Sequence, residues 1–191
     1  MTEEEKRLVH VIAQSSFMII GFIISLLAIV MKRMNEDSIQ NGSPILGSDL
    51  KIQNNFNKYT TSLLILGVLL LSVSFTETFI CNTCDSKKTS VIDLTSYYTL
   101  YMLLITLFGG LGVYWSSNLI SIINTYATDK DNQSVKICKD FSIAILVVSI
   151  LAVLFGGYQG IVSPIYRRVK TESTPTRGAS SLTSPLSSFK F

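Results

Sequence analysis

The chain has 191 residues, of which 15% are charged, and a mean hydropathy of +0.42. A soluble domain usually carries about 25% charged residues, so the composition excludes an ordinary water-soluble fold. The net charge of +3 is too small to mark a nucleic-acid binder, and the basic residues flank apolar stretches instead of forming one patch.

The first apolar stretch covers 8–31, with His10 as its only titratable side chain. A bilayer core about 30 Å thick needs roughly 20 apolar helical residues, and this stretch clears that length. It is too long for a removable signal peptide, and no small-x-small cleavage site precedes Lys32-Arg33, so it reads as an uncleaved anchor. Gly21 and Ser25 are spaced as a small-xxx-small pair, a surface over which helices approach closely. The connection over 32–58 is polar, poor in aromatics and punctuated by Gly42, Pro44 and Gly47, and it reads as a loop.

A second span is expected over about 60–80. Glu77 lies about a turn from its end, where it can reach water, pair with Lys87 or Lys88, or meet His10 from the first span. His10 and Glu77 are therefore the candidate polar or ion site. Cys81 and Cys84 form a Cys-x-x-Cys just beyond. Two thiols are too few for a structural zinc site, and a thioredoxin-type setting is missing, so a local disulfide or a lipid attachment suits them better.

The third span, about 98–122, has Tyr97, Tyr98 and Tyr101 at one end and Trp115 near the other, as interfacial aromatics should be. Residues 116–126 then read as a helical extension leaving the bilayer. The fourth span covers about 141–165. Third and fourth spans each contain the tetrapeptide Leu-Phe-Gly-Gly, at 107–110 and 154–157. Counting equally in both directions from a tight loop between Tyr126 and Asp140 sets Gly109 opposite Gly157 and Gly110 opposite Gly156. The two spans are therefore expected to form an antiparallel hairpin packed over Gly109, Gly110, Gly112, Gly156, Gly157 and Gly160. Lipid tails are as apolar as leucine, so close backbone contact over small residues is what draws helices together there. The competing use of paired glycines is a hinge or a pore-lining break. Asn118 and Gln159 are expected to hydrogen-bond between helices.

Residues 167–191 form a basic tail rich in Ser, Thr and Pro, too polar to fold alone. Leu182, Leu186, Phe189 and Phe191 are its candidate anchors for a partner protein. The fold class expected is thus an all-α integral membrane protein: one domain over 1–166 with four transmembrane helices, followed by the tail.

Four spans place both termini and the second loop on one side. That side holds nine Lys and Arg residues against seven on the other, and the excess sits in Arg167, Arg168 and Lys170 directly after the last span. The positive-inside rule then makes both termini cytosolic. Cys138 falls on the opposite side from Cys81 and Cys84, so an impermeant thiol reagent is expected to reach it first. The triplets beginning at Asn41 and Asn132 fall on that opposite side too, as glycan acceptors would.

No span has an ionisable residue at its centre, and the chain holds no P-loop, dinucleotide fingerprint, Gly-x-Ser-x-Gly or His-Glu-x-x-His. The Cys-Cys-Gly of tetraspanins and the Trp-Gly-Leu-Trp of claudins are absent as well. The reading is a non-enzymatic structural or assembly subunit without cofactor or metal, such as a virion membrane protein tying bilayer to capsid shell. Its expected partners are the bilayer, other protein subunits held through loops and tail, or further copies of itself, and not nucleic acid. The alternative is a small channel or transporter.

Overall fold

A computed structural model describes the backbone over 3–84 and 91–158 together with Gly160, and side chains over 15–76, 99–158 and Gly160. The described residues are helical throughout, apart from short connections. The four helices are α1 (Glu3–Gln40), α2 (Leu50–Cys84), α3 (Val91–Tyr126) and α4 (Gln133–Gly157). Each is long and apolar enough to cross a membrane. The chain is therefore a multi-pass, all-helical membrane protein by the length and composition of its helices.

The first three helices are longer than a bilayer requires. At 38, 35 and 36 residues they run about 50 Å or more, at about 1.5 Å per residue, against a hydrocarbon core of roughly 30 Å. Much of the excess lies in the segment read from sequence as a loop. The helix α1 continues through the polar stretch to Gln40, and α2 begins at Leu50, leaving only 41–49 as the connection. The reason is a stripe that survives the loss of overall hydrophobicity. Met31 and Asn35 on α1, and Gln53, Phe56 and Thr60 on α2, recur at helical spacing and are all buried. Charged neighbours such as Arg33, Asp37, Lys51 and Lys58 are exposed on the other faces. The helix α3 likewise continues to Tyr126, as its expected extension requires.

Packing is pairwise. The helix α1 packs mainly on α2, and α3 mainly on α4; the two pairs meet chiefly through α2 and α3, with a smaller contact between α1 and α4. The main core joins all four helices through Ile24, Met31, Phe56, Leu66, Leu119 and Ile145. A second cluster nearer the other end contains Phe17, Leu70, Tyr101, Met102 and Ile105. There the Phe17 and Tyr101 rings meet edge to face with centroids 6.2 Å apart, and the Tyr101 hydroxyl lies 3.1 Å from Ser74 Oγ.

The 41–49 connection is not a loose crossing. Gly42 and Gly47 take φ of +71° and +74°, values that a side chain strongly disfavours, and between them the chain turns Ile45 and Leu46 into the core. Four hydrogen bonds hold this inward turn. Ile45 N–H donates to Ser38 Oγ at 3.3 Å, and Gln53 Nε2 donates to Gly47 O at 2.6 Å. Thr128, in the α3–α4 connection, donates from its backbone N–H to Ile45 O and from Oγ1 to Pro44 O, each at 3.2 Å. The two connections at this end are thus clasped to one another. The N-terminus of α4 beside them is capped by Asn132, whose Oδ1 accepts from Ser134 N–H at 2.8 Å.

Leu46 retains 1% of its surface. Its replacement by Ala should remove about 2–5 kcal/mol of stability, the range for a buried leucine lost to a cavity. Thr128→Ala removes only partly exposed bonds and should cost less. Thermal unfolding of the detergent-solubilised chain, followed by circular dichroism, would show the two variants in that order.

Candidate functional site: helix crossings and a buried polar layer

The candidate site residues from the sequence fall into three groups. His10 and Glu77 lie on the described backbones of α1 and α2, but their side chains, like those of Cys81, Cys84 and Gln159, are outside the described residues. Leu182, Leu186, Phe189 and Phe191 also lie outside them. The small residues of the spans are described, and the structure sorts them sharply.

On α1, a Cβ built at Gly21 would stand 2.9 Å from both Gly67 O and Leu71 N of α2. Reciprocally, a Cβ at Gly67 would stand 2.8 Å from Gly21 O and would collide with Ser25 Oγ. Ser25 is buried and donates its hydroxyl to Gly21 O at 2.9 Å. The two backbones thus touch at Gly21 and Gly67, with Ser25 closing the contact. Gly67 is the residue that sequence reasoning missed. It stands alone in the second span, with no small partner four residues away, and only the antiparallel register of α1 and α2 sets it against Gly21.

Between α3 and α4 the register differs from the one expected. A Cβ at Gly109 would lie 2.8 Å from Val153 Cγ2 and 2.9 Å from Ser149 O, not against Gly157. A Cβ at Gly156 would lie 3.0 Å from Met102 O and 2.7 Å from Thr106 Oγ1, not against Gly110. Gly112 faces Ser149 Oγ, and Gly160 faces Met102 with 3.2 Å to its Cβ. Gly110 has nothing within 4 Å, and Gly157 has only Thr106 Cγ2 at 3.9 Å. The correction has a simple cause. Neighbouring residues of a helix point about 100° apart, so only one glycine of each pair can face the partner helix. Equal counting from the connecting loop also assumes that both strands of the loop contribute equally. Instead α3 runs on to Tyr126 while α4 starts at Gln133.

The buried polar residues are mostly hydroxyls, and they are spent locally. Thr60, Ser116 and Ser142 donate to the carbonyls of Phe56, Gly112 and Cys138, each four residues back in the same helix, at 3.0, 2.6 and 2.8 Å. Asn118 does the same toward Tyr114 O at 2.7 Å, so it does not bridge helices as expected. Two buried contacts cross between helices: the Ser74–Tyr101 pair described above, and a layer near the clasped end. Asn35, with 0% exposure, donates from Nδ2 to Asn57 Oδ1 at 3.1 Å, joining α1 to α2. Its own Oδ1 has no partner, and neither has Ser149 Oγ.

At the bundle centre a void of about 10 Å³, room for about one water, lies among Ile24, Leu66, Ile105, Phe108, Ser149 and Ala152. Its lining is apolar but for Ser149, and a water there would find too few partners to be held. Among the described residues no group of three His, Cys, Asp or Glu side chains could hold a metal ion. Cys138 is fully buried in the main core beside Ser142 and Met31, so the expectation that an impermeant reagent reaches it first is corrected: burial, and not sidedness, governs its access.

Comparison with protein-family models, with curated proteins and with solved structures found no match for this chain.

Two measurements follow from the contacts. Gly67→Leu and Gly109→Leu should each lower the thermal midpoint strongly or prevent folding, because a backbone must move, whereas Gly110→Leu enters open space and should be mild. In cysteine crosslinking, the pair at 106 and 157, where a Cβ at 157 lies 3.9 Å from Thr106 Cγ2, should join efficiently in membranes and the pair at 110 and 156 poorly; the reverse order would restore the register counted from the sequence.

Proposed function

We propose that the chain is a non-enzymatic multi-pass membrane protein that acts as a structural or assembly subunit of a larger complex. A virion membrane protein linking bilayer to capsid shell is one form that such a subunit takes. The observation that carries this reading is the close packing among Ile24, Leu66, Ile105 and Ala152, one from each helix, where the space between the four helices is about 10 Å³. A solute path needs polar groups turned toward a continuous opening. Here Thr60, Ser116 and Ser142 are turned back onto their own helices.

The role of the glycines belongs to the same proposal. In this reading the Gly21–Gly67 contact holds one helix pair, and the Gly109, Gly112, Gly156 and Gly160 positions hold the other as an antiparallel hairpin. Close contact replaces the hydrophobic drive that lipid cannot supply. The result is a rigid post rather than a hinge. Both termini then lie in the cytosol, with the tail's Leu182, Leu186, Phe189 and Phe191 available to a partner protein that orders them on contact.

Deleting 180–191 should leave membrane insertion intact and weaken recovery of co-purifying proteins from mild detergent. The opposing result is a solute or ion flux in liposomes that contain only this chain, abolished by Glu77→Gln. Such a flux would overturn the scaffold reading whatever the deletion did.

A further inference from the structure

The helix contacts set residues of different helices at a common depth. The Asn35–Asn57 bond brings Lys32 and Lys58 within about a turn of one another along the bundle axis. The Ser142–Met31 contact, with Ser142 Oγ 3.5 Å from Met31 Sδ, brings Lys139 to the level of Lys32. The Ser74–Tyr101 bond and the contact of Leu66 with Gly112 then set Tyr114 and Trp115 on α3 at the level of Tyr59 on α2. Three helices therefore change from apolar to charged at one plane, and the fourth, α3, which has no charge there, carries aromatic rings near it. Such a coincidence is what a bilayer interface imposes: rings at headgroup depth and lysines reaching up to it.

The cations at this plane are not equivalent. Arg33 is engaged by Asp37 at 3.6 Å on its own helix. Lys32, Lys58 and Lys139 pair with no carboxylate among the described residues. Lys32 and Lys139 are half-buried and Lys58 is exposed, and the three stand on three different helices, α1, α4 and α2. Unpaired ammonium groups at headgroup depth are complementary to one component of their surroundings, the phosphate of an acidic lipid.

We propose that Lys32, Lys58 and Lys139 form a basic collar that selects anionic phospholipids from the surrounding bilayer. The collar gives the protein a lipid preference at this end of the bundle and fixes its depth there. It rests on the multi-pass reading but not on the scaffold role, and a protein that failed to scaffold anything would still show it.

Trp115 is the single tryptophan of the chain and is half-buried at the collar, so it reports on nearby lipid. The full chain is reconstituted in mixed vesicles of phosphatidylcholine and phosphatidylglycerol, with bromine on the acyl chains of one lipid or the other, and quenching of Trp115 gives their relative affinity. The wild type should prefer phosphatidylglycerol by roughly fivefold for each lysine that reaches its headgroup. The preference should shrink at high salt and fall to near unity in the K32Q/K58Q/K139Q variant. The K32R/K58R/K139R variant keeps the charge and should keep the preference, which separates lost charge from lost fold. Equal quenching by both lipids in the wild type, or a preference that survives K32Q/K58Q/K139Q, would overturn the proposal. Inorganic phosphate matched to chloride in ionic strength should leave the preference in place; if it abolishes the preference, the lysines take a free anion and the lipid assignment falls.

Discussion

Everything in this bundle depends on how closely α1 and α2 can approach at Gly21 and Gly67. Inside a bilayer every backbone group must be satisfied within its own helix, which makes the helices, but nothing apolar then pushes the helices together. Dispersion between surfaces in contact is what remains, and it falls off within a fraction of an ångström of a gap. A backbone carbonyl standing 2.8 to 2.9 Å from where a Cβ would be shows that no side chain separates the two helices at this point. The Ser25 hydroxyl, turned onto Gly21 O, fits the same contact without leaving a donor unpaired.

That contact fixes the register of the first pair, and the register carries outward. It puts Asn35 beside Asn57, where a buried amide finds one partner, and it brings α1 and α2 to the same height at the clasped end. There the chain has only 41–49 with which to turn, and it uses two glycines in left-handed conformations to fold Ile45 and Leu46 beneath the connection. Thr128 then ties the second helix pair to the first. The polar ends of the helices are therefore held by an extension of the main core, through Phe56, Ile123 and Val135.

The proposed scaffold role draws on the interior of the bundle. The Thr60, Ser116 and Ser142 hydroxyls in its interior face their own helices, and the space among Ile24, Leu66, Ile105 and Ala152 admits about one water. The proposed contacts are then those of the helix ends, the collar and the sequence beyond the last span. In the scaffold reading proposed above, each of these would act through where the bundle holds it.

The sequence by itself determined that the chain has four helices long and apolar enough to cross a membrane, because charge-free length is a local property and hydrocarbon thickness reads it directly. It also marked Gly21, Ser25, Gly109, Gly112, Gly156 and Gly160 as small residues within spans. It could not pair them. Facing between helices depends on rotation and on axial offset, each set by all contacts at once, so Gly67 went unnoticed, Gly110 was given a partner it does not have, and the offset between α3 and α4 was misjudged. The polar stretch 32–58 has the composition of a loop. Only the tertiary structure decided that it is mostly helix, because burial of Asn35, Gln53, Phe56 and Thr60 along one stripe stabilises helix where average polarity does not.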